Sequence, residues 1–240
     1  MPVAFFFQGR NVFDRSTASR LGIAAVALSA LTMFMPSAVA QTTPQKLVAD
    51  AQTTLSDFMR DPDQTWIHDN IGRAKALLIV PQIVKAGFIF GGSGGQGVLV
   101  VRNGKSWSGP AFYDLATASV GFQAGLEVSQ AIIVVMTDKG LNSLMSTTFK
   151  VGGDASIAAG PVGAGAKSTV TADLVSFTRS KGVYGGVNLD GTVVHANTKW
   201  NGEFYGAGKE VLPPDIVMRH SYKSAKATPL LNAVGKVAGK

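Results

Sequence analysis

The chain has 240 residues, with 22 Lys and Arg against 15 Asp and Glu, and no cysteine. Without cysteine there are no disulfide staples, thiolate metal sites, cysteine nucleophiles or lipid-modified cysteine anchors. A chain of this length buries an ordinary core without such aids, and one domain is the default reading.

The start reads as a leader. Arg10, Arg15 and Arg20 precede an apolar run from Leu21 to Met35, then Pro36, then Ala38-Val39-Ala40 before Gln41. A basic start, a short apolar core and a small-x-small site are the parts of a secretory signal peptide. The run of 15 residues is shorter than the roughly 18 of a membrane-spanning helix. Residues 1–40 are therefore predicted to be removed, leaving a periplasmic or secreted protein in peripheral association with a membrane. Loss of Arg10, Arg15, Arg20 and Asp14 takes 22 basic and 15 acidic residues to 19 and 14. With so few arginines left, that bias fits an anionic membrane surface better than nucleic acid.

Residues 41–65 read as a short lead and a helix. Thr43 caps it, Pro44 opens it, and Leu47, Ala51, Leu55 and Phe58 make its apolar stripe. Asp61-Pro62-Asp63 ends it, and Trp66, Ile67, Ile71 and Ala74 carry a helical period into a second helix. The pattern then turns to strands at Leu77–Val80, Gly87–Phe90 and Val98–Val101, the last ending on the hairpin signal Asn103-Gly104. From Val120 to Val128 the alternation is strict, and Ile132–Met136 reads as a strand buried on both faces. A short helix over Lys139–Ser146 follows. Strands are expected at Ala155–Val162, Leu174–Thr178 and Val183–Leu189, the last closed by Asp190-Gly191.

Glycine recurs inside these strands, where it marks bulges, corners or close backbone approach. The sum is an α+β fold: a strongly coiled antiparallel sheet, open or closed into a barrel, with helices at both ends.

Few constellations carry chemistry. Gly92-Ser93-Gly94-Gly95-Gln96-Gly97 satisfies a dinucleotide fingerprint, but β-branched Val98–Val101 follows where a helix is required. A glycine-rich turn between strands accounts for it better. In Gly160–Ser168, Ala166 breaks the register of a phosphate loop. Asp61, Asp63 and Asp69 lack the glycine and glutamate of a calcium loop. His68, His195 and His220 stand far apart without ligand spacing, and no G-x-S-x-G elbow is present. The reading is non-enzymatic, with no catalytic residue, metal, cofactor or nucleotide. Arg219 to Lys240 holds five basic residues and no acidic one. Thr228 and Pro229 open a helix with Leu230, Leu231, Val234 and Val237 on one side. That pattern suits equally a membrane-surface helix and a helix docked on the domain.

From Trp66 to Gly206 the order of segments resembles the SYLF-domain family. The resemblance rests on Ala74–Pro81, Lys85-Ala86-Gly87-Phe88, Gly97-Val98-Leu99-Val100, Trp107-Ser108-Gly109-Pro110-Ala111-Phe112 and Ser119–Gly125. Ala158–Gly163, Ser180–Val187 and Asn197 through Tyr205-Gly206 complete it. It implies a SYLF-like lipid-binding domain over residues 66–240, with the basic helix at its end. Eukaryotic members bind phosphoinositides, largely through an amphipathic helix before the family core, and are linked to actin. The counterpart here, Leu47 to Arg60, balances Lys46 and Arg60 with Asp50 and Asp57, so phosphoinositide specificity is not carried over. The predicted export argues against actin as a partner.

The expected function is non-catalytic binding of phospholipid or an anionic membrane surface in the bacterial cell envelope. The alternative is a structural or interaction protein of the envelope with incidental lipid affinity. Lys75, Lys85, Arg102, Lys105, Arg179 and Lys181 are the candidate headgroup contacts, with Trp107 at the interface and Lys223, Lys226 and Lys236 in the basic C-terminal segment.

Overall fold

Helix formation begins where the sequence places it. The Thr43 hydroxyl accepts from the Lys46 amide at 3.2 Å, and Pro44 occupies the first turn of α1 (Pro44–Arg60). Leu47, Ala51, Leu55 and Phe58, joined by Val48, form its buried stripe. Asp61 is extended and ends it, its carboxylate accepting from the Asp63 amide. The second helical stretch divides into α2 (Thr65–Asn70) and one 3-10 turn at Ile71–Arg73.

The computed structural model describes residues 43–239 apart from 88–89, 121–124, 164–169, 181–182, 186–188 and 190. The predicted leader, Lys181 and Asp190 lie outside the described residues. Four long strands follow α2: β1 (Ala76–Gly87), β2 (Phe90–Asn103), β3 (Ser106–Val120) and β4 (Gly125–Val135). After them come α3 (Asp138–Leu144), β5 (Thr148–Lys150), β6 (Ile157–Ala159), β7 (Leu174–Ser180), β8 (Val183–Gly185) and β9 (Val193–Ala196). The chain closes with α4 (Thr198–Tyr205), α5 (Pro213–Val217) and α6 (Thr228–Ala238).

The strands form one sheet in the order β5-β9-β3-β2-β1-β4-β7-β6, with β8 also on β7. The pairing is antiparallel throughout except for the parallel pair of β6 and β7. The sheet curls into a half-barrel and stays open, so the curl expected from the glycines is present without closure.

Strand alternation builds a separate core on each face. Leu77, Ile79, Val98, Val100, Phe112, Ile132, Val134, Val175 and Phe177 face α1, α2, α4 and α6. Leu78, Val80, Leu99, Tyr113, Ile133, Val135 and Leu174 point the other way, into the curl, against Leu144, Phe149, Val194 and Ile216. Two-sided burial is why Ile132–Val135 has no polar face.

Several expected boundaries are corrected. The strand at Leu77–Val80 does not stop at Pro81. It runs on to Gly87 through a bulge that shifts the register against both β2 and β4. Proline cannot donate to a ladder, and a bulge is how a central strand absorbs it. The extra residue reverses the facing, so Ile83 joins Val80 on the inner side. Gly92–Gly97 is not a turn but part of β2, paired with β1 and β3. Glycine is needed there because β1 comes so close at its bulge. A Cβ on Gly95 would lie 2.6 Å from the Gln82 carbonyl oxygen. Backbone groups committed to two ladders cannot cradle a phosphate. The single strand expected over Val120–Val128 is divided between β3 and β4, which lie on opposite sides of the β1–β2 pair. Alternation cannot reveal the break, because both segments continue the same period.

The C-terminal helix is docked. Leu230, Val234 and Ala238 are buried in the outer core, and Lys236 faces solvent. Thr228 is inside α6 and its cap position is Ala227, because a 3-10 turn at Ala225–Ala227 leads into it.

Candidate functional site

At one end of the sheet the β2–β3 hairpin reverses over Gly104-Lys105, with Asn103 and Ser106 paired across it. Gly104 has φ +62, the left-handed value that a tight hairpin needs at its first loop position. Lys105 therefore sits exposed at the tip. Behind it, the Arg102 guanidinium lies 4.6 Å from the centre of the Trp107 ring. Arg102 also donates to the carbonyls of Ala74 (2.8 Å) and Ile71 (3.2 Å), closing the 3-10 turn. Its partial burial lowers its pKa, but a guanidinium remains charged at neutral pH.

Trp107 is buried, at 8% exposure, rather than spread on the surface. The α6 backbone passes beside it at Gly235. Gly109 follows with φ +121, and a Cβ there would lie 2.7 Å from the Leu99 carbonyl oxygen. The Trp107-Ser108-Gly109-Pro110 segment thus requires glycine for both conformation and space. The Ser108 hydroxyl donates to the Val217 carbonyl at 2.9 Å and ties β3 to the end of α5.

The segment from α5 to α6 closes over this hairpin and leaves a cleft of about 430 Å³. Asn103, Trp107, His220, Tyr222, Lys223 and Leu231 are among its walls. His220 holds φ +54, unusual for a residue with a side chain, and the Asn103 amide donates to its Nε2 at 2.8 Å. Tyr222 packs against Tyr205 at 6.1 Å, and the Tyr205 hydroxyl donates to Pro110. Burial pushes the Tyr205 phenol well above its ordinary range, so it stays neutral.

The electrostatics are one-sided. Lys223 lines the cleft, Lys226 is exposed beside the lining residue Ala227, and Lys105 and Arg102 belong to the hairpin. Among the described residues no carboxylate lines it, and nearby Asp215 is paired with Arg219. Of the residues singled out in the sequence, Trp107 and Lys223 therefore meet in this cleft from two distant segments, with Arg102 stacked on Trp107.

The others lie elsewhere. Lys75 pairs with Asp138 at 2.8 Å, and Arg179 with Asp57 at 3.5 Å. Lys85 is exposed on β1 opposite Glu127 of β4. Lys236 is on α6, away from the cleft-lining set, and Lys181 lies outside the described residues. Asn103, His220 and Tyr222 were not singled out as binding residues. Asn103 and His220 are 117 positions apart, and only the fold joins them.

Among the described residues no cluster of His, Asp and Glu could hold a metal ion. No described helix is long and apolar enough to cross a membrane.

A family model described as Ysc84, Las17-binding protein actin regulator, matches residues 116–237. The chain belongs to the Ysc84, or SYLF, family. The match covers β4, the elements after it as far as Val237 of α6, and Lys223 in the cleft wall. Among curated relatives, LAS seventeen-binding protein 3 of Saccharomyces cerevisiae is 33% identical over 152 residues, 60% of this chain and 33% of that protein. Protein YSC84 of the same yeast is 32% identical over 170 residues, covering 65% and 36%. Human SH3 domain-containing YSC84-like protein 1 is 30% identical over 176 residues, covering 70% and 50%. The chain thus spans a third to a half of the length of these relatives. They are named as binding proteins or by family, not as enzymes.

Proposed function

We propose that this SYLF protein is a non-catalytic binding module for anionic phospholipid, acting at a membrane surface of the bacterial cell envelope after removal of residues 1–40. The observation that carries the reading is the cleft between the β2–β3 hairpin and the α5–α6 segment. It sets Lys223 in one wall with Trp107 and Tyr222, with no lining carboxylate among the described residues. A phosphate ester with a short polar headgroup suits that chemistry: charge from the lysines, hydrogen bonds from Asn103 and His220, and an apolar surface from Trp107 and Leu231. The description as an actin regulator is that of the family model, and the chain spans only a third to a half of the length of the relatives named above. An exported protein does not meet actin, which leaves lipid as the partner.

The test is co-sedimentation with vesicles of phosphatidylcholine, alone or mixed with phosphatidylglycerol. Each lysine near an anionic surface contributes on the order of 1 kcal/mol. The Lys223→Glu/Lys226→Glu pair should then lower binding to the mixed vesicles by roughly tenfold or more, and added salt should act in the same direction. Equal binding to both vesicle types, or no loss in the double variant, would refute the headgroup reading.

A further inference from the structure

Beyond the helices, the outer face of β1–β4 continues without cover among the described residues. The register places Val84 and Ala86 of β1 beside Gly92 and Gly94 of β2, Ala116 and Ala118 of β3, and Leu126 and Val128 of β4. All eight are exposed, Leu126 at 66% and Val128 at 41%. None is polar or charged. The opposite face of the same stretch carries Lys85, Ser93, Thr117 and Glu127, and is occupied: Thr117 bonds Thr192, and Ser180 donates to Glu127.

A polar row separates this bare face from the core. Gln130, Gln82, Gln96 and Asp114 cross the four strands side by side, Gln96 donating to Asp114 at 3.2 Å and Gln130 to Thr54 of α1 at 3.4 Å. Asn197 closes the row on Asp114 at 3.0 Å. The apolar patch is therefore a separate surface and not a frayed margin of the core. Its glycines are not required by packing, since a Cβ on Gly92 or Gly94 would meet only ordinary contacts, at 3.4 and 3.7 Å. What they confer is a face without side-chain relief.

We propose that this bare face is a membrane-docking surface, lying flat on a phospholipid bilayer at the level where the acyl chains begin. The proposal rests on the lipid reading above and adds an apolar contact to its ionic one. Strand spacing and rise give the patch roughly 250–300 Å². Two copies face to face would bury about twice that, well short of the ~1,200 Å² of a stable pair, whereas a bilayer sets no such minimum. An uncharged surface of small and aliphatic residues suits an apolar medium. The depth is limited by the backbone. Thr117–Val120 and Gly125–Val128 have no outer strand partner among the described residues, and unpaired amides and carbonyls are not carried into hydrocarbon.

The absence of cysteine supplies a clean experiment. Leu126→Cys and, as a remote control, Lys209→Cys are labelled with an environment-sensitive fluorophore and mixed with phosphatidylcholine–phosphatidylglycerol vesicles carrying a nitroxide at the top of the acyl chain. The probe at 126 should shift to the blue and be quenched, while that at 209 stays in water. Leu126→Asp should weaken vesicle binding roughly tenfold with an unchanged melting curve. A probe at 126 that stays in water while the protein sediments with the vesicles overturns the docking face and leaves the headgroup cleft standing. A shift without vesicles that grows with protein concentration also overturns it, in favour of a second copy. Failure to sediment with any vesicle removes both readings.

Discussion

From Ala76 to Val80, β1 is buried on both faces, held between the helices and the curl. From Val84 to Ala86 the same strand is exposed, its apolar side uncovered among the described residues. The two halves share strands and pairing partners on either side of the Pro81 bulge, but differ in what covers them. The covered half is stabilised by burial of side chains from two layers. The extension is held by its ladder and by contacts on its inner face only, such as those of Thr117 with Thr192 and Ser180 with Glu127. Apolar residues in the first half therefore serve the fold, whereas in the second half they are free to serve a partner.

The largest expected effect lies in the covered half. Phe177 is fully buried, 5.5 Å from the Trp66 ring, and so close to Gly160 that no Cβ fits there. Phe177→Ala should cost about 3–5 kcal/mol in chemical denaturation. A smaller loss would mean that the outer core collapses around the cavity.

Asp173 sharpens the comparison at intermediate size. Its carboxylate accepts from the Thr137 hydroxyl (2.6 Å) and from the amide and hydroxyl of Ser156 (2.9 and 2.8 Å), with Lys139 at 3.5 Å. These bonds, that from Thr137 foremost, lower its pKa from 3.8 to about 2. A lowered carboxylate pKa stabilises the fold above the unfolded value, and the gain disappears as pH falls from near 4 towards 2. Asp173→Asn should cost on the order of 1–2 kcal/mol at neutral pH and flatten the stability profile across that acidic window. An unchanged profile would show that the clasp carries no load.

The smallest effect belongs to the extension. Leu126→Ala should change stability by less than about 0.5 kcal/mol, because a side chain 66% exposed loses little cover on truncation. A cost near that of Phe177→Ala would show the face to be covered in solution and erase the distinction between the two halves.

Much of the fold was legible. Thr43, Pro44 and the Leu47–Phe58 stripe specified α1, and Asn103-Gly104 specified the hairpin, because caps and turns are local chemistry. The site was legible only in pieces. Arg102, Lys105 and Trp107 stood out on the hairpin, and Lys223 and Lys226 in the basic tail, with nothing to say that Trp107 and Lys223 meet. His220 gave no signal at all, since its backbone conformation is imposed by the α5–α6 connection.

The sequence by itself determined the family, the α+β class, the absence of thiol chemistry and the position of most local elements. Caps, turn glycines and side-chain periods act within a few residues, so a linear reading captures them. Only the tertiary structure decided that β1 passes through Pro81, that Gly92–Gly97 is a strand, that α6 spends its apolar side on the core, and that the face from Val84 to Val128 is bare. Each of these depends on which element arrives from far along the chain to cover a surface, and alternation reads the same whether or not one arrives.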